Sequence, residues 1–162
     1  MERVWAPWRM EYVAQSEKFK ESCFLCVDNV DEKKALVVAK LDKAFVIMNR
    51  YPYSNGHVMV APIRHIASIE DLEDNEVLQI VRLIKIVSAI FREDFKAEGI
   101  NIGLNIGRAA GAGLEEHIHV HVVPRWFGDT NFMPVIAETK VISEHLYTTY
   151  ERLRKKFEEK LR

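Results

Sequence analysis

The segment His117-Ile118-His119-Val120-His121-Val122-Val123 alternates imidazole and aliphatic side chains without a break. In an extended strand successive side chains leave opposite faces, so the three imidazoles share one face while Ile118, Val120 and Val122 share the other. Consecutive histidines of such a row stand about 6–7 Å apart at their Cα atoms, close enough for one ring to attack a ligand, one to orient it and one to bind it. A strand face turned to solvent is normally filled with Lys, Glu and Thr, so three imidazoles point to chemistry. Two kinds of chemistry fit: a nucleophilic row, or a zinc hydrolase in which all three rings ligate the metal, since His-x-His on a strand is a common zinc arrangement. The flanking residues favour an anionic ligand. Pro124-Arg125-Trp126 puts a guanidinium and a broad aromatic ring at the strand's end, and Gly107, Gly111 and Gly113 leave backbone N–H groups open to phosphate oxygens.

The rest of the chain predicts an α+β architecture, with an antiparallel sheet of about five strands. Val- and Ile-rich runs at 35–40 and 44–49 flank the turn Leu41-Asp42-Lys43, and 57–61 forms a further strand after the turn-rich Tyr51–Gly56. With Asp74 as N-cap, Val77, Ile80, Val81, Ile84, Val87, Phe91 and Phe95 recur at helical spacing and give one long helix whose apolar face covers the sheet. Gly99 ends that helix, residues 100–106 alternate Ile and Leu with Asn and Gly, and a glycine-rich loop follows. The charged segment 143–162 is a C-terminal helix at the surface or a dimer edge. The whole of 1–162 forms a single domain. Residues 1–34 are an irregular arm holding Trp5–Tyr12, the pair Cys23-x-x-Cys26 and the charged turn Asp31–Lys34.

Composition narrows the function. Lys plus Arg number 23 against 24 Asp plus Glu, so a formal charge of −1 provides no global field for gripping nucleic acid. No apolar run approaches the roughly 18 residues of a membrane span. Met1-Glu2-Arg3-Val4-Trp5 has no apolar signal region, which predicts a cytoplasmic protein with reduced cysteines.

The triad matches the His-φ-His-φ-His-φ-φ motif of the histidine triad (HIT) family of nucleotide hydrolases and transferases. Asn49-Arg50-Tyr51-Pro52-Tyr53-Ser54-Asn55-Gly56-His57-Val58-Met59-Val60 resembles that family's nucleoside-binding strand and turn. The Trp5–Tyr12 segment, Trp126 and Gly128-Asp129-Thr130-Asn131-Phe132-Met133-Pro134 resemble its bacterial diadenosine tetraphosphate phosphorylase-like branch. The resemblance implies a HIT-like fold and a homodimer. It implies that His119 is the nucleophile, attacking an α-phosphorus to form a covalent nucleotidyl-histidine, with His117 and His121 completing the catalytic triad. For this the other ring nitrogen of His119 must donate to a fixed acceptor such as a backbone carbonyl. His121 binds the α-phosphate and bridging oxygen and can protonate the leaving group. By the same correspondence Asn49 and His57 lie at the nucleoside pocket, Asn49 towards the ribose. Dinucleoside polyphosphate hydrolases of the family carry a phosphate-contacting Gln before the triad. Here the only glutamines are the distant Gln15 and Gln79. That contact passes to Asn105, supported by backbone N–H groups near Gly113 and Leu114, with Trp126 beside the anion site.

On its own, Cys23-x-x-Cys26 suits a redox pair, half of a zinc site or two incidental thiols. Several family members complete a zinc site with the His of a Pro-x-x-His turn and the first triad His. Pro62-Ile63-Arg64-His65 and His117 occupy those places, so Cys23, Cys26, His65 and His117 are the set expected for a structural Zn2+, with no organic cofactor. The expected reaction is nucleotidyl transfer from a dinucleoside polyphosphate or adenylyl conjugate to phosphate or water. The alternative is a non-catalytic purine-nucleotide-binding protein or sensor. Neither reading calls for nucleic acid or a membrane as partner.

Overall fold

The Val- and Ile-rich runs pair as antiparallel strands because each can bury both of its faces. The computed structural model describes residues 23–27, 31–129 and 142–162. Strands β1 (Val37–Lys40), β2 (Ala44–Met48), β3 (Val58–Pro62), β4 (Gly99–Leu104) and β5 (Val120–Arg125) form one sheet in the order β1-β2-β3-β5-β4, antiparallel at every pairing. Helices α1 (Glu32–Ala35), α2 (Asp74–Glu93) and α3 (Leu146–Leu161) complete the regular structure. The period of two divides β1, β2 and β3 between two cores. Val46, Met48, Val58, Val60 and Val122 face Ile80, Leu83, Val87, Ile90 and Phe91 of α2 and Tyr150, Leu153 and Phe157 of α3. Phe45, Ile47, Met59 and Ala61 face the other way and are covered by Leu25 and Val27. The Cys23–Val27 stretch is therefore packed onto the sheet.

Several boundaries differ from expectation for local reasons. Asp31 caps α1 by accepting from the Lys33 and Lys34 N–H groups, so the charged stretch winds into a helical turn that ends at Ala35, and β1 starts at Val37. The N-cap of α2 is Glu73, which forms a capping box with Glu76 one residue ahead of the expected Asp74. Its buried face is Glu76, Ile80, Leu83, Val87, Ile90 and Phe91, whereas Val77 and Val81 are exposed. Gly99 opens β4 and does not end the helix. The left-handed position falls on Lys96 (φ 55°), where the Ala97 N–H reaches back to Phe91 O at 2.9 Å. α3 is not a surface helix: Thr149, Tyr150, Leu153 and Phe157 are buried and join the α2 core. Trp5–Tyr12 and Thr130–Pro134 lie outside the described residues.

One ion pair ties the turn after β3 to the start of α2. Arg64 grips Glu76 through Nε and Nη2 at 2.9 and 2.8 Å and also donates to Asp71 O at 2.7 Å. The Arg64 guanidinium holds the Glu76 carboxyl below the usual carboxylate range. A depressed folded-state pKa adds stability that is present above the unfolded value, about 4.3 for Glu, and is lost as pH falls through the folded one. Acid titration of stability should therefore show a loss below about pH 5 in the native chain. In Glu76→Gln that part of the acid limb should be gone and the neutral-pH stability lower, as chemical denaturation across pH would show.

Candidate active site and metal cluster

On the sheet face away from α2, β5 places His121 between Met59 of β3 and Gly103 of β4. The ladder begins at Val120, so His117 and His119 precede the strand, but the alternation persists through them. His117 and His119 are buried on the histidine side, and the His119 and His121 rings meet edge to face with centroids 4.9 Å apart. His119 Nδ1 lies 2.8 Å from His117 O. A carbonyl only accepts, so Nδ1 carries the proton. Burial pushes the His119 pKa below its ordinary value, which keeps the ring neutral near pH 7 and its Nε2 lone pair available.

The turn from Asn49 to His57 comes alongside. His57 is fully buried, and its Nε2 stands 2.9 Å from His121 Nδ1. The Tyr53 N–H donates to His57 Nδ1 at 3.1 Å, and the Tyr53 ring stacks on the His57 ring at 4.8 Å with 22° between planes. Asn49 Oδ1 accepts from the Tyr51 N–H at 2.8 Å, and its Nδ2 is 3.5 Å from His57 Nε2. Asn49, His57, His119 and His121 are thus brought together in one constellation. Two members were not foreseen. Tyr53 acts through a backbone N–H, which leaves no compositional trace. Gly103 sits directly across from His121, and a Cβ there would meet nothing within 4 Å, so the missing side chain leaves open space beside the imidazole.

The remaining ring of the row turns to a different partner. His117 Nε2 donates to Pro62 O at 2.8 Å, which leaves its Nδ1 unprotonated and 3.4 Å from Cys23 Sγ and 4.0 Å from Cys26 Sγ. Cys26 Sγ is 3.3 Å from His65 Nδ1. The four candidate ligand atoms of Cys23, Cys26, His65 and His117 lie within 4.8 Å of one another, and both thiols are free. Burial pushes the Cys23 thiol up to about 11, and burial lowers the His117 pKa to about 4, so without a cation these two are neutral donors. Two thiols and two imidazole nitrogens, one oriented by a carbonyl behind it, are a donor set that fits tetrahedral zinc. The three triad rings face three different groups, the thiols, the His117 carbonyl and His57, and of the triad only His117 belongs to the cluster. That arrangement rules against a single metal held by all three histidines.

Other expected site residues fall differently. Asn105 is half-buried and follows Leu104, whose partner is Val120, so it borders the His119 end of β5. Gly113 is exposed, while Leu114 packs against the core on the histidine face. Trp126 does not join the histidines. It packs against the helix-side core, and its Nε1 donates to Phe95 O at 3.1 Å. The reason is parity: Trp126 shares a strand face with Val122, not with His121. Arg125 is not a free anion handle, since Asp129 accepts from it at 2.6 and 2.9 Å and Asn101 at 2.9 Å.

Comparison with known proteins matches residues 30–128 to the HIT domain. The AP-4-A phosphorylase of Mycobacterium tuberculosis (strain CDC 1551 / Oshkosh) is 36% identical, with 92% of this chain and 80% of that protein covered. The bis(5'-nucleosyl)-tetraphosphatase [asymmetrical] of Schizosaccharomyces pombe is 36% identical over 53% of this chain and 46% of its own length. Among solved structures, a Zn-bound histidine triad family protein from Mycobacterium smegmatis superposes with a TM-score of 0.66 at 24% identity, covering 86% of this chain and 95% of that one. A hypothetical histidine triad nucleotide-binding protein from Sulfolobus tokodaii strain7 gives a TM-score of 0.65 at 26% identity, covering 85% and 93%.

Proposed function

The chain belongs to the HIT domain family, and from that premise we propose that it is an enzyme of nucleotidyl transfer, cleaving a dinucleoside polyphosphate through a covalent nucleotidyl-histidine on His119. The observation that carries this reading is the 2.8 Å bond from His119 Nδ1 to His117 O, which commits the ring's proton to one side and its lone pair to the other. In the first step Nε2 bonds to the α-phosphorus as the bond from phosphorus to the bridging oxygen breaks, and the nucleoside polyphosphate leaves with that electron pair. In the second step an acceptor oxygen bonds to the same phosphorus, the N–P bond breaks, and His119 is regained neutral. His121 donates a hydrogen bond to the α-phosphate or bridging oxygen. Asn49 borders the nucleoside with the fully buried His57 behind it, while Asn105 and the backbone at Gly113 and Leu114 serve the phosphates.

Cys23, Cys26, His65 and His117 would hold a zinc ion that supplies folding stability and pins the Cys23–Val27 segment to the sheet, apart from the reacting atoms. Two free thiols suit a reducing, cytoplasmic setting. No helix among the described residues is long and apolar enough to cross a membrane. A homodimer is favoured by two uncovered surfaces. Among the described residues β4 pairs only with β5, leaving an edge that exposes Ile102, and α2 exposes Val77, Leu78 and Val81. A solution mass of one chain would remove the dimer.

Inorganic phosphate is the proposed acceptor. With Trp126 in the core, this rests on likeness to the mycobacterial phosphorylase and on the engagement of Gln79, the one glutamine among the described residues, with the Lys43 N–H at 2.7 Å. Incubation of diadenosine tetraphosphate with excess phosphate tests it: ADP plus ATP is expected, and AMP formed at a rate indifferent to phosphate would make the protein a hydrolase. No turnover of any dinucleoside polyphosphate, together with tight nucleotide binding, would make it a sensor.

A further inference from the structure

We propose that His57 is a positioning residue: it fixes His121 as the tautomer with its proton on Nε2, so that the third triad ring can only donate to the substrate. The argument is a chain of single-sense hydrogen bonds. The Tyr53 amide can only donate, and it lies 3.1 Å from His57 Nδ1, so that nitrogen is the acceptor. In neutral His57 the proton is then on Nε2, which stands 2.9 Å from His121 Nδ1, while the Asn49 amide nitrogen, itself a donor, lies further off at 3.5 Å and does not bond to it. His121 Nδ1 must accept, and the one proton of a neutral His121 is on Nε2. A second proton on His57 would place an N–H against the Tyr53 N–H, and full burial of the ring opposes the charge as well. The stacked Tyr53 ring keeps the His57 ring from turning over.

The same physics sets the two neighbouring rings in opposite senses. His119 is protonated on Nδ1 by its bond to His117 O and presents a lone pair from Nε2. His121 is protonated on Nε2 and presents a donor. An attacking ring beside a donating ring, with centroids 4.9 Å apart, is the pairing that displacement at phosphorus needs: electrons from one side, and a hydrogen bond to the oxygen on which charge grows from the other. Because His57 keeps its own proton, His121 lends its Nε2 proton as a hydrogen bond without net transfer, and both rings end the step as they began it. This role rests on His119 being the nucleophile, and it separates His57 from a nucleoside contact, which would bind every adenylyl substrate alike.

Histidine-labelled 15N NMR of the full chain reads the tautomer directly, with the His121 signals identified by their loss in His121→Asn. In the native protein Nε2 should be protonated and Nδ1 bare, and in His57→Leu the two forms should interconvert. In kinetics with adenylyl esters of graded leaving groups, His57→Leu should lower kcat for the poorest leaving group about 10-fold more than for nitrophenolate, the size of one charge-assisted hydrogen bond, with KM nearly unchanged. His57→Gln, whose amide N–H reaches the same place, should recover part of the loss. A native His121 with its proton on Nδ1 overturns the proposal, as does a His57→Leu defect confined to KM and equal for all leaving groups. Should the native protein turn over no adenylyl ester, the enzymatic reading falls, while the NMR result still decides the tautomer on its own.

Discussion

His119→Ala should remove nearly all turnover while the fold and nucleotide binding survive. Loss of a nucleophile removes the covalent path itself, which costs roughly a thousandfold or more in kcat, whereas ground-state contacts are shared among many groups. The structure indicates why the fold should tolerate the change. Among the described residues His119 makes one hydrogen bond, to the carbonyl of a residue two positions away, and it is not part of either apolar core. Its neighbours in the nucleotide site, Asn49 and His57, are held by the Tyr51 and Tyr53 backbone amides and not by His119. Steady-state rates with a dinucleoside polyphosphate, alongside calorimetric binding of a nucleoside monophosphate, separate the two effects. A variant retaining more than about a hundredth of native activity would end the covalent assignment, since a missing nucleophile costs more than that.

Much of this site was legible because a period of two is unambiguous. The alternation at His117–Val123 assigned the imidazoles to one face and Ile118, Val120 and Val122 to the other, and Val120 and Val122 pack in the helix-side core although the ladder starts only at Val120. The same period assigns Trp126 to the face of Val122, so its place in the helix-side core was readable and the nearness of Arg125 in sequence was the misleading cue. A period of 3.6 was less decisive in α2. Val77, Leu78 and Val81 form an apolar stripe next to the buried Ile80, Leu83 and Val87, and an alternation of charge that would have told the two stripes apart is missing. In α3 the charged residues masked Tyr150, Leu153 and Phe157, whose spacing is that of a core face. The Cys/His cluster joins residues 94 and 39 positions apart in sequence, contacts that local pattern cannot express and that only the family resemblance could suggest. The Tyr53 amide was invisible in principle, because every residue but proline carries one.

Loss of a metal from the Cys/His cluster should cost more than stability. About one zinc per chain should accompany protein purified without chelators, and Cys26→Ser should lose it and melt at a markedly lower temperature, because the binding energy of a structural zinc, on the order of 10 kcal/mol, is available only to the folded chain. Without a cation, what holds the Cys23–Val27 segment to the sheet is the burial of Leu25 and Val27 and the long contacts of its thiols with the two imidazoles. The second consequence runs through the backbone. His117 is anchored by its Nε2 to Pro62 O and by its Nδ1 to the thiol cluster, and its own carbonyl is the acceptor that holds the His119 proton on Nδ1. A His117 released on one side gives that carbonyl freedom to move, and a shift of even about 1 Å at a reacting group can cost a hundredfold in rate. Cys26→Ser protein assayed well below its melting temperature should therefore bind nucleotide normally and turn it over more slowly. Native protein free of metal by elemental analysis would sink the cluster, and a metal-free variant with unchanged kcat would leave zinc a stabilising role alone.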